Sequence, residues 1–290
     1  MTKSASSRLS LAVSMAIFGT LAPFVRNIPV SSGELALYRA VMATLVIGAF
    51  FLIRKPSFSG AERDLPLLIF SGFAMGINWV LLFEAYRYTT VAVATLSYYF
   101  APVIVTVVCP ILFREKLTAK QIVCFVMSTV GLALVIGITD LGSGGRDIIG
   151  ILFGLGAAVL YATVVLINKF ITGVAGIERT FLQFLAAVLI MIPYVACTGG
   201  ISLGGMDGKG WLCLAVVGII HTGINYCVYF SSLRHIPGQA AAILSYIDPL
   251  VAVIVSVLVL KEALTIPQFI GGLLILGFTL LNEINLGKKS

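Results

Sequence analysis

The chain reads as an all-α integral membrane protein of ten transmembrane helices, built as two five-helix inverted-topology repeats. Three observations predict this: its composition, the spacing of its apolar runs and an internal repeat. Of 290 residues, 59% are hydrophobic and 11% are charged, where a soluble domain carries about 25% charged residues. A water-soluble globule has too little interior to hide that much apolar surface, whereas lipid solvates it. A helix crosses about 30 Å of hydrocarbon with roughly 20 apolar residues, so this length accommodates ten crossings joined by short loops.

Charge clusters, Gly/Pro pairs and apolar runs place helices near 9–26, 34–53, 65–86, 91–113, 118–137, 148–169, 178–198, 209–233, 238–260 and 265–284. The first has a basic flank, Lys3 and Arg8, but its apolar run is longer than a signal-peptide core and no small-x-small site closes it before Arg26. It is expected to be retained. Pro56 follows Arg54 and Lys55 after helix 2, Gly142 to Gly145 interrupt the chain at its middle, and Gly199, Gly200, Gly204 and Gly205 precede helix 8. The halves divide as 1–141 and 142–290.

The net charge of +7 does not point to nucleic acid, because Lys and Arg sit at helix ends without interleaved aromatics. It reads as topology. With both termini cytoplasmic in a cell inner membrane, the inner segments hold Lys3, Arg8, Arg54, Lys55, Arg63, Arg114, Lys116, Lys120, Lys169, Arg179, Arg234, Lys288 and Lys289. The outer side holds Arg26, Arg39, Arg87, Arg146, Lys209 and Lys261, so 13 face 6 of the 19. Cys109, Cys124, Cys197, Cys213 and Cys227 lie scattered in apolar segments without metal-ligand spacing. No cofactor or metal is expected.

Shifting the chain by 147 residues lays Gly76–Gln121 over Gly223–Gln268 without a gap, with 13 identities in 46 positions. They include Asn78/Asn225, Arg87/Arg234, Tyr99/Tyr246, Pro102/Pro249, Glu115/Glu262, Thr118/Thr265 and Gln121/Gln268, which shared hydrophobicity does not explain. Upstream the offset is 143 at Arg26/Lys169 and 144 at Glu34/Glu178. A unit of five helices is odd, so the second copy enters from the opposite side and puts Glu115 and Glu262 on opposite faces. Inverted repeats around a midplane site are characteristic of secondary transporters; duplication retained for folding alone is the competing explanation.

The Tyr-x-x-Pro stretches at Tyr99–Pro102 and Tyr246–Pro249 are each followed by Glu-x-Leu-Thr-x-x-Gln, at Glu115–Gln121 and Glu262–Gln268. With the five-plus-five layout, these make the chain resemble the drug/metabolite transporter superfamily, specifically EamA-type exporters, along essentially its whole length. Overall likeness is greatest to bacterial aromatic amino acid exporters. The resemblance implies export of a small molecule across the inner membrane by alternating access, with aromatic or other hydrophobic amino acids the first substrates to consider. The halves depart from chemical equivalence where Ala101 stands opposite Asp248.

Residues at membrane depth supply the candidate site. His221, Asn225 and Tyr229 follow at i, i+4 and i+8 on helix 8 and share a face. Asn78 and Trp79 occupy the turn equivalent to Asn225 and Tyr226, and Tyr98, Tyr99, Tyr161 and Tyr246 add hydroxyls. Polar groups facing lipid would be unsatisfied, so these side chains face inward, as an aromatic-lined cavity for a flat apolar solute with a polar end or as contacts between helices. Asp248 lies roughly 15 Å into helix 9 at 1.5 Å per residue. A carboxylate there costs about 2.5–3.5 kcal/mol on insertion scales, which makes it the proton-coupling candidate; capping of a kink at Pro249, or a watery vestibule, is the alternative. Pro102 and Pro249 are the candidate hinges. Arg39 either snorkels to the outer interface or attracts a substrate carboxylate, and Glu84 with Arg87 forms an interfacial i, i+3 pair. With Lys and Arg kept from the midplane, phosphorylated substrates are disfavoured. Gly72/Gly76 and Gly150/Gly154 fit GxxxG packing. The chain lacks HExxH, GxSxG and P-loop motifs, which disfavours an enzyme or an ATP-driven pump. A passive channel stays open as an alternative. The expected partners are the small-molecule substrate and the lipid bilayer, with a monomer as the working unit.

Overall fold

The computed structural model describes residues 3–113, 118–137, 145–174, 176–202, 205–233 and 244–283. Glu115 and Arg234 lie outside them. The described residues are helical throughout their regular structure: α1 (Lys3–Gly19), α2 (Leu21–Arg26), α3 (Ser32–Ile53), α4 (Leu65–Tyr88), α5 (Val91–Tyr98), α6 (Ala101–Phe113), α7 (Ala119–Gly137), α8 (Arg146–Asn168), α9 (Gly176–Thr198), α10 (Gly208–Ala215), a π-helical stretch (Val216–Ile224), α11 (Asn225–Leu233), α12 (Ile247–Leu258) and α13 (Ile266–Glu283). Among the described residues six helical stretches are long and apolar enough to cross a membrane. They fall as three long stretches then two shorter apolar ones, twice in succession: Ser6–Arg26, Ser32–Ile53 and Leu65–Tyr88 before Val91–Val105 and Ala119–Val135, and Arg146–Asn168, Gly176–Thr198 and Gly208–Ser232 before Ile247–Leu258 and Ile266–Asn282.

Four expected helices are not uniform, the ninth breaking at Tyr246. The first breaks at Thr20. The fourth breaks at Tyr99–Phe100, because Pro102 has no N–H with which to continue the ladder back to Tyr98. The eighth widens into π geometry at Val216–Ile224, where His221 and Thr222 side chains reach back five residues to the Val216 and Val217 carbonyls at 3.3 and 2.8 Å. Such a turn holds one residue more than an α-turn, so the faces of α11 are rotated from those a continuous α-helix would present.

The repeated polar residues have identifiable structural work. Thr118 and Gln121 form a reciprocal cap at the start of α7: the Thr118 N–H donates to Gln121 Oε1 at 2.8 Å and the Gln121 N–H to Thr118 Oγ1 at 3.2 Å. Thr265 and Gln268 repeat it before α13 at 3.0 and 3.4 Å. These capping boxes satisfy backbone donors that lipid cannot. Asn78 Nδ2 donates to the Ala157 carbonyl at 2.6 Å, and Asn225 Nδ2 to the Ser14 carbonyl at 3.0 Å. The donors are 147 apart and the acceptors 143 apart (225 − 78, 157 − 14), two of the offsets present in the sequence.

Helix pairing shows the same exchange. α4 packs along α8 as α11 packs along α1; α4 on α9 is matched by the π stretch on α3; α5 and α6 on α8 by α12 on α1. α7 and α13 pair with each other. Small residues permit the closest crossings. A Cβ on Gly131 would lie 2.7 Å from the Gly271 carbonyl oxygen, and one on Gly271 2.5 Å from that of Gly131. Gly72 meets the Gln183 backbone and Gly150 meets Thr89 in the same way, so both GxxxG pairs lie in interfaces. The central core joins α2, α3, α4, α5, α8, α9, the π stretch and α11, with Phe83, Phe184 and Ile47 fully buried. Leu45, Leu52, Leu152, Leu189 and Leu212 are exposed, a surface suited to lipid.

Candidate functional site

A cavity of about 470 Å³ runs between the two halves, and α1, α3, α4, α5, α8, α9, α11 and α12 all contribute walls. Several of the residues expected to face a substrate meet there: Arg39, Trp79, Tyr98, Tyr99, Tyr161 and Tyr226 line it, with the proton-coupling candidate Asp248 and the hinge candidate Pro102.

One wall is organised by Arg39. It does not snorkel; it is 4% exposed, donates from Nε to Thr222 Oγ1 at 2.8 Å, and lies 4.6 Å above the Trp79 ring and 5.7 Å from that of Phe83. Two aromatic faces offset part of the cost of burying a guanidinium. Arg39 is thus a buried cation beside the cavity rather than an interfacial one, and the argument against phosphorylated substrates from a lack of interior cations weakens with it. Trp79 continues into an aromatic chain: its ring meets Phe184 edge-on at 5.2 Å, and Phe184 meets Tyr226 at 5.2 Å.

The facing wall carries the acid. Tyr99 donates its hydroxyl to Asp248 Oδ2 at 2.6 Å. Because α5 ends at Tyr98, Tyr99 sits at the helix break, while Asp248 opens α12 immediately before Pro249. The bond thus joins the discontinuities of the two halves. Tyr98 stands 5.9 Å from Tyr99 and 5.5 Å from Tyr161, so tyrosine hydroxyls and rings continue away from the carboxylate. A cation and a carboxylate on the walls of one aromatic cavity suit a zwitterion with an apolar body.

Asn78, His221, Asn225, Tyr246 and Pro249 are not among the lining residues. His221, Asn225 and Tyr229 do share one face, and it packs on the first helix: His221 Nε2 lies 3.0 Å from Thr20 Oγ1, Asn225 bonds the Ser14 carbonyl, and Tyr229 meets Phe18 at 6.3 Å. Of the three, Tyr229 also reaches the cavity. Tyr246 is buried. Sequence reasoning passed over Tyr86, Gln183 and Arg179, all of which line the cavity. Gln183 Nε2 donates to Ser71 Oγ and Asn168 Oδ1, both at 2.7 Å, and Arg179 Nη1 to the Asn168 carbonyl at 3.1 Å. Gln183 is uncharged and carried no repeat signal. Arg179, on the first turn of α9, read as an interfacial charge.

The cavity reaches Asn168 and Arg179 at one end and Tyr86 elsewhere, and the Tyr86 carbonyl is held by Arg26. Arg26 forms an ion pair with Glu262 and donates to the Tyr86 and Thr89 carbonyls at 3.1 and 3.0 Å. Glu262 also accepts from the Val91 N–H at 2.9 Å and from Ser256 Oγ, acting as a cap on α5. One pair of side chains thereby holds the ends of α2, α4 and α5 and the segment after α12.

The chain matches the EamA-like transporter family over residues 6–137 and 148–283. It is 31% identical over 251 residues to the uncharacterized transporter YxxF of Bacillus subtilis (strain 168), covering 85% of this chain and 79% of the relative. An uncharacterized transporter of Archaeoglobus fulgidus is 26% identical, with 94% of each chain covered. A crystal structure 18% identical in sequence superposes with a TM-score of 0.66 over 94% of this chain and 96% of its own, a likeness of fold. This polytopic membrane protein belongs to the EamA-like transporter family.

Proposed function

We propose that the protein is a secondary transporter that exports small amphipathic metabolites, aromatic and hydrophobic amino acids foremost, by alternating access across the inner membrane. Ten crossings in two inverted halves, with both termini cytoplasmic, underlie this reading. The observation that carries it is the central cavity, lined by Arg39 over Trp79, by Asp248 held by Tyr99, and by Tyr98, Tyr161 and Tyr226; in this reading Arg39 would meet a substrate carboxylate, Asp248 would meet an ammonium group or carry a proton, and the tyrosine rings would stack on the apolar body. The paired asparagine bonds and the exchange-symmetric packing support two halves that trade conformations. Rocking about the breaks beside Pro102 and Pro249 would release the Arg26–Glu262 tie at one end and close the Asn168–Arg179 end.

Counterflow in proteoliposomes tests this. Vesicles loaded with unlabelled phenylalanine, tyrosine, tryptophan or leucine should transiently accumulate the labelled amino acid, with saturation, and an inward or outward pH gradient should change the rate. Lack of counterflow for the whole panel removes the amino acid assignment; uptake that never saturates indicates a channel.

A further inference from the structure

Beyond the main cavity lies a second chamber of about 420 Å³, lined by Val25, Arg26, Ile28, Ser32, Leu35, Phe83, Tyr86 and Arg87. Tyr86 lines both spaces, so its 8% exposed side chain is the partition between them. Phe83 stands at the same boundary, its ring facing Arg39 on one side and forming part of the chamber on the other.

The chemistry of this chamber differs from that of the main cavity. It has two guanidinium groups, each next to a carboxylate, and Arg26 also donates to the Tyr86 and Thr89 carbonyls. Arg87 is half exposed, donates to the Val30 carbonyl and stands 3.5 Å from Glu84. Arg26 is held by Glu262, whose carboxylate also has Val91 N–H and Ser256 Oγ as donors. The third feature is independent of these charges. Ser32 is 1% exposed, and its hydroxyl has no hydrogen-bond partner among the described residues. A buried hydroxyl without a partner is costly, and a ligand oxygen reaching it from the chamber would supply one.

We propose that this chamber is a second, carboxylate-binding subsite at the Arg26 end of the transport path, with Arg87 and Arg26 as its cations and Ser32 as its hydrogen-bond donor. A substrate carboxylate passing Tyr86 exchanges for Glu262 at Arg26. The exchange loosens the tie of α2 and α4 to α5 and the segment after α12, so the leaving substrate opens its own exit. The ligand is a carboxylate attached to a small apolar body. Its role on the path rests on the transport reading, whereas anion binding in the chamber does not.

The test uses full-length Ser32→Cys protein in detergent, with modification read by peptide mass at position 32. The anionic reagent sulfonatoethyl methanethiosulfonate should react faster than cationic trimethylammonioethyl methanethiosulfonate by about tenfold, within the range over which like-charged clefts raise encounter rates. Adding Arg87→Gln should reduce that preference at least about threefold, while Arg87→Lys, which keeps the charge, should preserve it. Phenylacetate should protect position 32 and phenethylamine, which lacks the carboxylate, should not. Equal reaction rates, no reaction with either reagent, a preference unmoved by Arg87→Gln, or equal protection by phenethylamine would each overturn the subsite. Because the readout needs no flux, an inactive counterflow assay with protection intact counts against the proposed function and not against this site.

Discussion

The Tyr99 hydroxyl and the Asp248 carboxylate, 2.6 Å apart, show how one residue can tolerate the interior of a membrane protein. An intramembrane acid costs about 2.5–3.5 kcal/mol on insertion scales, and a hydrogen bond to a charged group returns about 1.5–3 kcal/mol. Tyr99→Phe is therefore expected to lower the thermal unfolding midpoint in detergent, by an amount matching about 1–3 kcal/mol. An unchanged midpoint would show that water, and not Tyr99, satisfies the acid. Asp248→Asn keeps an acceptor but cannot exchange a proton. It should retain counterflow at symmetric pH and lose any response to an imposed gradient; a variant that still follows the gradient excludes Asp248 from coupling. At Arg39 the informative change is to lysine. The charge survives, but the planar stack on Trp79 and the Nε bond to Thr222 do not. We expect the KM for carboxylate substrates to rise about tenfold, near 1.4 kcal/mol, with kcat changed less, as read in saturation curves.

Elements are joined by devices that recur in both halves. The Asn78–Ala157 and Asn225–Ser14 bonds clamp α4 to α8 and α11 to α1. Interhelical polar pairs in membranes average about 0.6 kcal/mol, so Asn78→Ala and Asn225→Ala should each destabilise by about that much or somewhat more. Lying on different helix pairs, they should add to within about 0.5 kcal/mol, measurable by denaturant titration in mixed micelles. Strong non-additivity would mean that the two clamps share one cooperative unit. At the tied end, Glu262→Ala removes an ion-pair partner of Arg26 and the cap on Val91, and should cost about 1–2 kcal/mol, with Glu262→Gln recovering part of it. Much of this level was legible in the sequence, because the repeated Asn, Thr and Gln stood in register. Their roles were harder to read: an amide at membrane depth looks alike whether it faces a solute or a neighbouring carbonyl, and the decision belongs to the partner helix. The π stretch left no local mark either. His221 and Thr222 stand out by polarity but not by any signal for an extra residue per turn, and in the structure they meet the first helix and Arg39.

For the whole molecule, composition and apolar run length were enough for a polytopic helical membrane protein, since lipid leaves a chain few alternatives. The cavity was legible only in part. Tyr98, Tyr99, Tyr161, Tyr226, Trp79 and Asp248 announced themselves by polarity at depth, whereas Tyr86, Gln183 and Arg179 needed the packing of distant helices to reach it. Inversion of the halves is the claim with the widest consequences, and two loops test it directly. The segment between α3 and α4 and the one between α9 and α10 occupy equivalent places in the two repeats, so an inverted arrangement puts them on opposite faces. Lys55 and Arg63 flank the first, so the positive-inside rule predicts a cytoplasmic place for it, and Lys209 lies just past the second. Ser57 is accessible in the first loop and Lys209 begins the first turn of α10. A membrane-impermeant maleimide added to intact cells should therefore label Lys209→Cys and spare Ser57→Cys until the membrane is opened. Labelling of both positions from outside would make the repeats parallel. A parallel pair cannot interconvert inward and outward forms by swapping the conformations of its two halves, and the cavity would then need a different account of alternating access.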